Sequence, residues 1–325
     1  MEKRLRWFDE GAPLLRAAAD RLGFGAALPA GEDWYACPLC LVAWPRSAVT
    51  TRLLTEEHVP PHALGGRGLL LTCAECNNTA GTALDAHAVR RRHVEDFAAG
   101  RATGHTLPVT VHADGIPLRG TIQWTDDGSL QIFGVPQRNH PGQQAAHLRT
   151  LDEYADQADP NPDVAFTIQG DRYDANRDRL SWVRAAYLAA FAALGWHYIF
   201  RPIMNPYRAQ FREPDRAIAP IQVLRDRTAP ADQRRILFVE EPDDLRGVAV
   251  AFGQRLILLP GVDRPQTCHQ LHDALTARST GAEPRADLNG KEVPWPRWPV
   301  YLLDRHLPER PGRSHGSPAS TPTSC

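Results

Sequence analysis

Residues 53–78 read LLTEEHVPPHALGGRGLLLTCAECNN, and they are the most informative part of the sequence about the local fold. Two short apolar runs, beginning at Leu53 and Leu69, flank a segment that carries two prolines and three glycines. Proline lacks the N–H that a central strand donates, and glycine permits the turns that a loop requires. The pattern predicts a β-hairpin with a first strand from Leu53, a loop from Pro60 and a return strand over Leu69–Thr72.

The residues after the hairpin predict a helix. From Asn77 to His87 the chain consists mostly of good helix formers, and Asn77 stands where a side chain would cap the first turn. We expect the helix to continue to about Ala99 and to end at Gly100. The predicted order is therefore strand, loop, strand, helix.

Four of the six cysteines form two C-x-x-C pairs that bracket the hairpin. A C-x-x-C turn directs two thiolates at one metal ion. Two such pairs in a chain without an export signal are typical of a tetrahedral zinc site, with a redox pair or a chance arrangement as the alternative. The 32 residues between the pairs leave room for the hairpin. The predicted zinc ligands are Cys37, Cys40, Cys73 and Cys76.

This arrangement resembles the HNH nuclease superfamily, whose core is the ββα-metal motif. The resemblance covers about residues 34–90 and is closest to the zinc-stapled branch that includes recombination endonuclease VII. It implies an α+β fold, in which a small zinc-bound ββα-metal core precedes a mixed α+β domain of unknown type. The residues that carry it are Cys37, Cys40, Glu57-His58-Val59-x-Pro61, Leu64-Gly65-Gly66, Leu71-x-Cys73-x-x-Cys76-Asn77-Asn78, Gly81 and Asp85.

The resemblance implies a role for each site residue. His58 matches the general base, while Glu57 and Asn77 match ligands of a catalytic Mg²⁺ or Mn²⁺ ion. The zinc would be structural, because four cysteines close its coordination shell. Asp85 and His87 are weaker candidates for the catalytic ion. The structural alternatives are a hairpin histidine for His58, a solvated strand residue for Glu57 and a simple helix cap for Asn77.

Other residues depart from the family pattern or have a more ordinary interpretation. Gly68 stands where many family members carry an asparagine, and Ala80 stands where some carry an acidic ligand. His62 is interpreted as a loop residue. Residues 90–92, three consecutive arginines, are interpreted equally as phosphate contacts or as a solvated helix end. Cys268, His269 and His272 could mimic a metal site, but we interpret them as part of a short helix.

The composition is that of a globular protein, with 42% hydrophobic residues and a formal net charge of -1. Near-zero charge argues against a protein that coats nucleic acid through bulk positive charge, although it leaves a local basic surface open. The longest apolar stretch, Ala185–Trp196, has 12 residues, fewer than the ~20 that a membrane helix needs. The N-terminus has no signal-peptide pattern. We therefore expect a cytoplasmic protein without membrane partners.

We predict four segments: an N-terminal helical segment over 1–31, the HNH core over 32–99, an α+β domain over 100–307 and a disordered tail over 308–325. The first segment includes a helix over Leu14–Leu22. Residues 105–135 predict an antiparallel meander, and residues 136–162 are predicted to be rich in loops. Further predicted strands are Val164–Ile168, Ile236–Val239, Val248–Phe252 and Leu256–Leu259, and further predicted helices are Leu180–Gly195, buried, and Gln266–Arg278.

The resemblance implies a metal-dependent endonuclease that hydrolyses DNA phosphodiester bonds, in defence against foreign DNA or in mobile-element biology. One alternative is a non-catalytic zinc module that binds nucleic acid or a protein partner. An RNA-directed nuclease is less favoured, because the sequence has no aromatic-rich basic strand for stacking single-stranded bases. Cleavage of both DNA strands by one such site would suggest a homodimer, and a regulatory partner is the other expected association.

Overall fold

The structure is a computed structural model that describes residues 1–156, 164–168, 173–263, 265–278 and 286–306. They form two compact units of mixed α+β structure. The first unit comprises Met1–Pro60, Arg67–Asn77 and the described residues from Arg184 onward. The second unit comprises Pro61–Gly66 and the described part of Asn78–Val183. The segment 32–99 contributes to both units, and the predicted domain boundaries stay predictions. The tail predicted over 308–325 lies outside the described residues.

The helices, including a π-helical turn over Gly81–Asp85 that joins α3 to α4, follow the chain in a simple order. They are α1 (Glu2–Leu22), α2 (Ser47–Thr50), α3 (Ala74–Ala80), α4 (Ala86–Ala98), α5 (Pro141–Asp156), α6 (Ala175–Leu194), α7 (Trp196–Ile199), α8 (Asn205–Arg212), α9 (Cys268–Ala277) and α10 (Leu302–His306).

The strands pair antiparallel throughout and form four sheets, ordered β1-β2, β3-β4, β7-β6-β5-β8 and β13-β10-β11-β12-β9. They are β1 (Trp34–Ala36), β2 (Ala43–Pro45), β3 (Leu54–Val59), β4 (Arg67–Cys73), β5 (Leu107–Ala113), β6 (Ile116–Trp124), β7 (Leu130–Gly134), β8 (Val164–Ile168), β9 (Leu224–Arg225), β10 (Arg234–Glu241), β11 (Gly247–Phe252), β12 (Arg255–Pro260) and β13 (Asn289–Val293).

Helix α1 begins at Glu2, well before the predicted start at Leu14, and it ends at Gly23 as predicted. Its buried side chains follow helical spacing along one face. Pro13 lies inside the helix, although a proline there removes one backbone hydrogen bond. Because proline usually marks a helix start or break, the sequence did not predict the turns before it. The side chains that α1 buries include Trp7, Phe8, Leu15, Ala18 and Ala19.

The first unit buries the C-terminal part of α6 completely, as its alanine-rich sequence predicts. Every residue from Arg184 to Leu194 is buried, and Arg184 is the one charged side chain among them. The predicted strands near residues 236–259 are confirmed as β10, β11 and β12, and the predicted helix near residue 268 is confirmed as α9. Helix α9 packs Leu271 and Leu275 onto this five-stranded sheet.

The second unit contains the predicted meander as β5, β6 and β7, and β8 adds to the edge of β5. The loop-rich prediction for residues 136–162 is wrong, because α5 occupies Pro141–Asp156. Its one buried side chain is His147. Pro141 is the first residue of α5, and proline is well suited to the first turn of a helix.

Among the described residues, none of the helices combines the length and the apolar character that crossing a bilayer would require.

Candidate metal centre and active site

The first cysteine pair lies in the tight turn between β1 and β2. The backbone N–H of Leu41 donates to the carbonyl of Cys37 at 2.8 Å, and the N–H of Cys37 donates to the carbonyl of Val42 at 3.0 Å. Leu41 adopts a left-handed conformation with φ of 61°, which closes the turn. This geometry holds Cys37 and Cys40 on the same turn, so that both sulfurs face one point.

The second pair lies where the β3–β4 hairpin joins α3. Cys73 is the last residue of β4, and Cys76 lies in the first turn of α3. The backbone N–H of Cys76 points at the Cys73 sulfur, with 3.5 Å between N and Sγ. The end of the strand and the start of the helix thus present both sulfurs together.

The four sulfurs meet in one cluster. The Sγ atoms of Cys37, Cys40, Cys73 and Cys76 all lie within 4.8 Å of one another, and those of Cys40 and Cys73 are 3.8 Å apart. In a tetrahedral site with metal–sulfur distances near 2.3 Å, neighbouring sulfurs are about 3.8 Å apart. The predicted cluster is therefore present, and its donor set could hold a metal ion such as zinc.

The electrostatics of the cluster also favour a cation. Burial raises the pKa of the Cys37 thiol, whereas a hydrogen bond from Cys37 lowers the pKa of the Cys40 thiol. Four sulfurs this close cannot all carry a negative charge without a positive ion among them, so some must stay protonated. A divalent ion removes this conflict, because it binds all four as thiolates.

The predicted hairpin is confirmed as β3 and β4. The pairing runs from Leu54 opposite Cys73 to Val59 opposite Arg67, and it shifts by one residue between Glu57 and His58. Such a bulge re-aims the side chains on either side of it. Here it leaves Glu57 buried and His58 half-buried, opposite Gly68.

The carboxylate of Glu57 is held inside the first unit. Its Oε2 accepts a hydrogen bond from the Thr72 hydroxyl at 2.9 Å and pairs with Nη2 of Arg184 at 2.8 Å. Both Glu57 and Arg184 are only 2% exposed. The sequence-based prediction missed Arg184, although a lone arginine in an apolar helix is a signal, since a buried charge needs a partner.

Asn77 does not begin the helix, contrary to the prediction. Helix α3 starts at Ala74, directly after β4, so Asn77 lies in the first turn rather than at the cap. Its Nδ2 donates to the hydroxyl of Thr55 at 3.1 Å and to the carbonyl of Glu56 at 3.2 Å. Asn77 therefore binds the helix to β3, one strand position from Glu57.

The space over Gly68 is filled by a charged pair. A Cβ on Gly68 would lie 1.5 Å from Oε1 of Glu56, so the Glu56 side chain occupies that position. Lys3 binds the same Oε1 at 2.6 Å and also donates to the carbonyl of Gly68 at 3.3 Å. The ion pair ties α1 to both strands of the hairpin.

Asp85 and His87 serve as contacts within the second unit. The carboxylate of Asp85 accepts a hydrogen bond from the Ser181 hydroxyl at 2.6 Å. Nδ1 of His87 accepts the backbone N–H of Asp174 at 2.9 Å, and burial together with Arg90 and Arg177 lowers the pKa of His87. Both contacts fasten the α3–α4 region to the start of α6.

The remaining candidates have surface or packing positions. His62 is exposed on a short 3₁₀ turn. Of the three consecutive arginines, Arg91 pairs with Glu95 and Arg92 pairs with Asp96, each at 2.9 Å, which fits the solvated helix face. Cys268 is buried in α9, and the four-cysteine cluster is the one group found among the described residues that could hold a metal ion.

No family model, curated protein or solved structure matches this chain.

Proposed function

We propose that this protein is a metal-dependent endonuclease that hydrolyses DNA phosphodiester bonds. The observation that carries the proposal is the four-cysteine cluster at the joint between the β3–β4 hairpin and α3, with His58 on the hairpin. A hairpin followed at once by a helix, with zinc clamping its base, is the arrangement that the resemblance implies.

His58 is the proposed general base. A half-buried imidazole can accept a proton from water near neutral pH as that water attacks phosphorus. The exposed Arg67 begins the opposite strand, across from Val59, and a guanidinium at this end of the hairpin would contact a backbone phosphate. The chain thus brings a proton acceptor and a phosphate-binding charge to the loop end of the hairpin.

Zinc on the four cysteines is structural in this proposal. Four protein sulfurs fill a tetrahedral shell and leave no position for water. Cys73 pairs with Leu54 at one end of the hairpin, while His58 lies four positions further along β3, about 13 Å at the usual rise per residue. The zinc therefore holds the fold rather than the substrate.

A second divalent ion, Mg²⁺ or Mn²⁺, would offset the charge that develops on the phosphate and on the leaving oxygen. Asn77 fits a ligand role, because its Nδ2 faces β3 and its Oδ1 is not among the hydrogen-bonded atoms of the described chain. Glu57 does not fit as it stands, because Arg184 and Thr72 already hold its carboxylate. Asn77 is therefore the proposed ligand of the catalytic ion, and Glu57 is not.

The test is nicking of supercoiled plasmid DNA by the full-length, zinc-loaded protein with Mg²⁺, with Mn²⁺ or without added ion. Wild type is compared with His58→Ala and with His62→Ala, the exposed histidine of the same hairpin region. We expect His58→Ala to lower the rate roughly 100-fold or more, as loss of a general base does, with zinc content and melting temperature unchanged. His62→Ala should match wild type.

Two outcomes would contradict the proposal. One is the absence of nicking by a zinc-loaded wild type under every metal condition, and the other is full activity in His58→Ala. Competition between DNA and RNA substrates then separates a DNA enzyme from an RNA-directed one.

A non-catalytic zinc module that binds nucleic acid or a protein is the second candidate. The observation that favours it is the burial of Glu57 with Arg184, since it turns the expected acidic ligand into part of the core. This candidate predicts DNA or partner binding without cleavage, and it predicts no effect of His58→Ala beyond stability.

A further inference from the structure

We propose that Arg208, acting through Tyr187, is the buried counter-charge of the four-cysteine metal centre. The proposal rests on the zinc part of the proposed function and is independent of nuclease activity. It makes Arg208 a positioning residue that tunes zinc affinity without touching the metal.

Arg208 is a buried cation with only neutral partners. It lies on α8 and is 5% exposed. Its guanidinium donates to the Tyr187 hydroxyl at 3.0 Å, to the carbonyl of Ile199 and to Oδ1 of Asn205. None of these acceptors is a carboxylate, and no ion pair of Arg208 occurs in the described part of the chain. A buried charge without an opposite charge is strongly unfavourable, so the fold must compensate it elsewhere.

Tyr187 leads from this cation to the metal centre. Its hydroxyl is fully buried and donates to the carbonyl of Pro38 at 2.9 Å. Pro38 lies inside the Cys37–Cys40 turn, directly after Cys37 in the sequence. Because the tyrosine hydroxyl accepts from Arg208 and donates to Pro38, its dipole is aligned between the guanidinium and the thiolate turn.

The metal centre supplies the missing negative charge. Four thiolates around one Zn²⁺ carry a net charge of about −2, which is itself costly to bury. Arg184, the other buried arginine of the first unit, is already neutralised by Glu57. Arg208 therefore remains as the cation whose charge the zinc-loaded centre can balance. Two hydrogen bonds, from Arg208 to Tyr187 and from Tyr187 to Pro38, connect this positive charge to the backbone of the centre.

The experiment measures the zinc affinity of the reduced full-length protein by competition with a chromophoric chelator. We expect Arg208→Met to bind zinc about 10-fold to 100-fold more weakly than wild type, the usual effect of losing an outer-shell partner. Arg208→Lys, which keeps the charge, should recover much of that affinity. Arg212→Met is the matched control, because Arg212 is an exposed arginine on the same helix, and it should bind zinc as wild type does.

Melting with and without zinc separates charge balance from ordinary packing. Under the proposal, zinc raises the melting temperature less in Arg208→Met than in wild type. Equal zinc affinity in both proteins, with the same loss of melting temperature in the zinc-free and zinc-loaded forms, would overturn it. If Arg208→Met does not fold, Tyr187→Phe keeps the test open, because it removes only the connecting hydroxyl and should also weaken zinc binding.

The outcome for wild type distinguishes the two proposals. A wild type that binds no zinc would overturn this inference together with the structural-zinc part of the proposed function. If wild type binds zinc and Arg208→Met binds it equally tightly, this inference alone is overturned. The proposed nuclease function would then still depend on the plasmid-nicking test.

Discussion

Arg184 on α6 and Glu57 on β3 form an ion pair of 2.8 Å in the interior of the first unit. Because both side chains are almost fully buried, removing one partner would leave the other as an uncompensated charge. The pair thereby fixes the hairpin that carries His58 against the buried part of α6 that belongs to the first unit.

We predict that Arg184→Met lowers the free energy of unfolding by about 3 to 5 kcal/mol, as expected for breaking a buried pair. The double variant Glu57→Gln with Arg184→Met should recover most of this loss, because it removes both charges and keeps an acceptor for Thr72. Urea unfolding measures both. Arg46→Met, which breaks the exposed pair with Asp9, is the control and should change little.

The same variants test whether Glu57 binds the catalytic ion. If Glu57 is structural, Glu57→Gln should lower the free energy of unfolding. The Mg²⁺ concentration needed for half-maximal nicking should then stay close to that of wild type. A large shift in that Mg²⁺ concentration with unchanged stability would return Glu57 to the metal site.

A second prediction concerns the cysteine cluster. Cys73→Ala should abolish stoichiometric zinc binding and unfold the hairpin region, because a structural metal contributes folding free energy directly. Zinc analysis of the purified protein and circular dichroism measure the two effects. Cys268→Ala, at a buried cysteine outside the cluster, should keep a full complement of zinc. Retention of zinc and fold in Cys73→Ala would contradict the structural role.

A third prediction separates Asn77 from its neighbour. Asn77→Ala removes the two hydrogen bonds that join α3 to β3, whereas Asn78 is exposed. We expect Asn77→Ala to lower the free energy of unfolding by about 1 to 3 kcal/mol and to abolish nicking. Asn78→Ala should affect neither. Loss of stability with full activity in Asn77→Ala would mean that Asn77 is only a brace.

A fourth prediction concerns pH and Asp304 on α10. Its carboxylate accepts the backbone N–H groups of Trp196 at 2.7 Å and His197 at 2.9 Å. Burial nevertheless raises the pKa of Asp304 to about 7, above its ordinary value of 3.8. Between about pH 4 and pH 7 the native state therefore keeps a proton that the unfolded chain has lost. The contribution of Asp304 to stability is full below about pH 4 and is lost as the pH rises to about 7.

The measurement is urea unfolding of wild type and Asp304→Asn between pH 4 and 8. Because asparagine does not titrate, the stability of wild type relative to the variant should fall across this range, by at most about 1.4 kcal/mol per pH unit. Parallel pH profiles for the two proteins would show that the native carboxyl titrates normally.

The sequence by itself predicted the hairpin, the second-unit meander and the meeting of four cysteines, because these follow from local chemistry. Prolines and glycines set where strands end, and a C-x-x-C spacing fixes two sulfurs on one turn. It placed the helix start wrongly at Asn77, because an asparagine can cap a helix or reach a neighbouring strand, and only the position of Thr55 decides which. It missed α5, whose one buried side chain is the polar His147.

The tertiary structure alone decided the partners of the buried charges. Arg184 lies 127 residues from Glu57 along the chain, and Tyr187 lies 149 residues from Pro38. No local pattern encodes such pairs, since they depend on which helix packs against which turn once the core has closed. The sequence determined that four cysteines could hold a metal ion and that His58 would lie on the hairpin. Packing determined that Arg184 and Thr72 hold the Glu57 carboxylate and that the bonded acceptors of Arg208 are all neutral. Burial makes such partners matter, because an unpaired buried charge is costly.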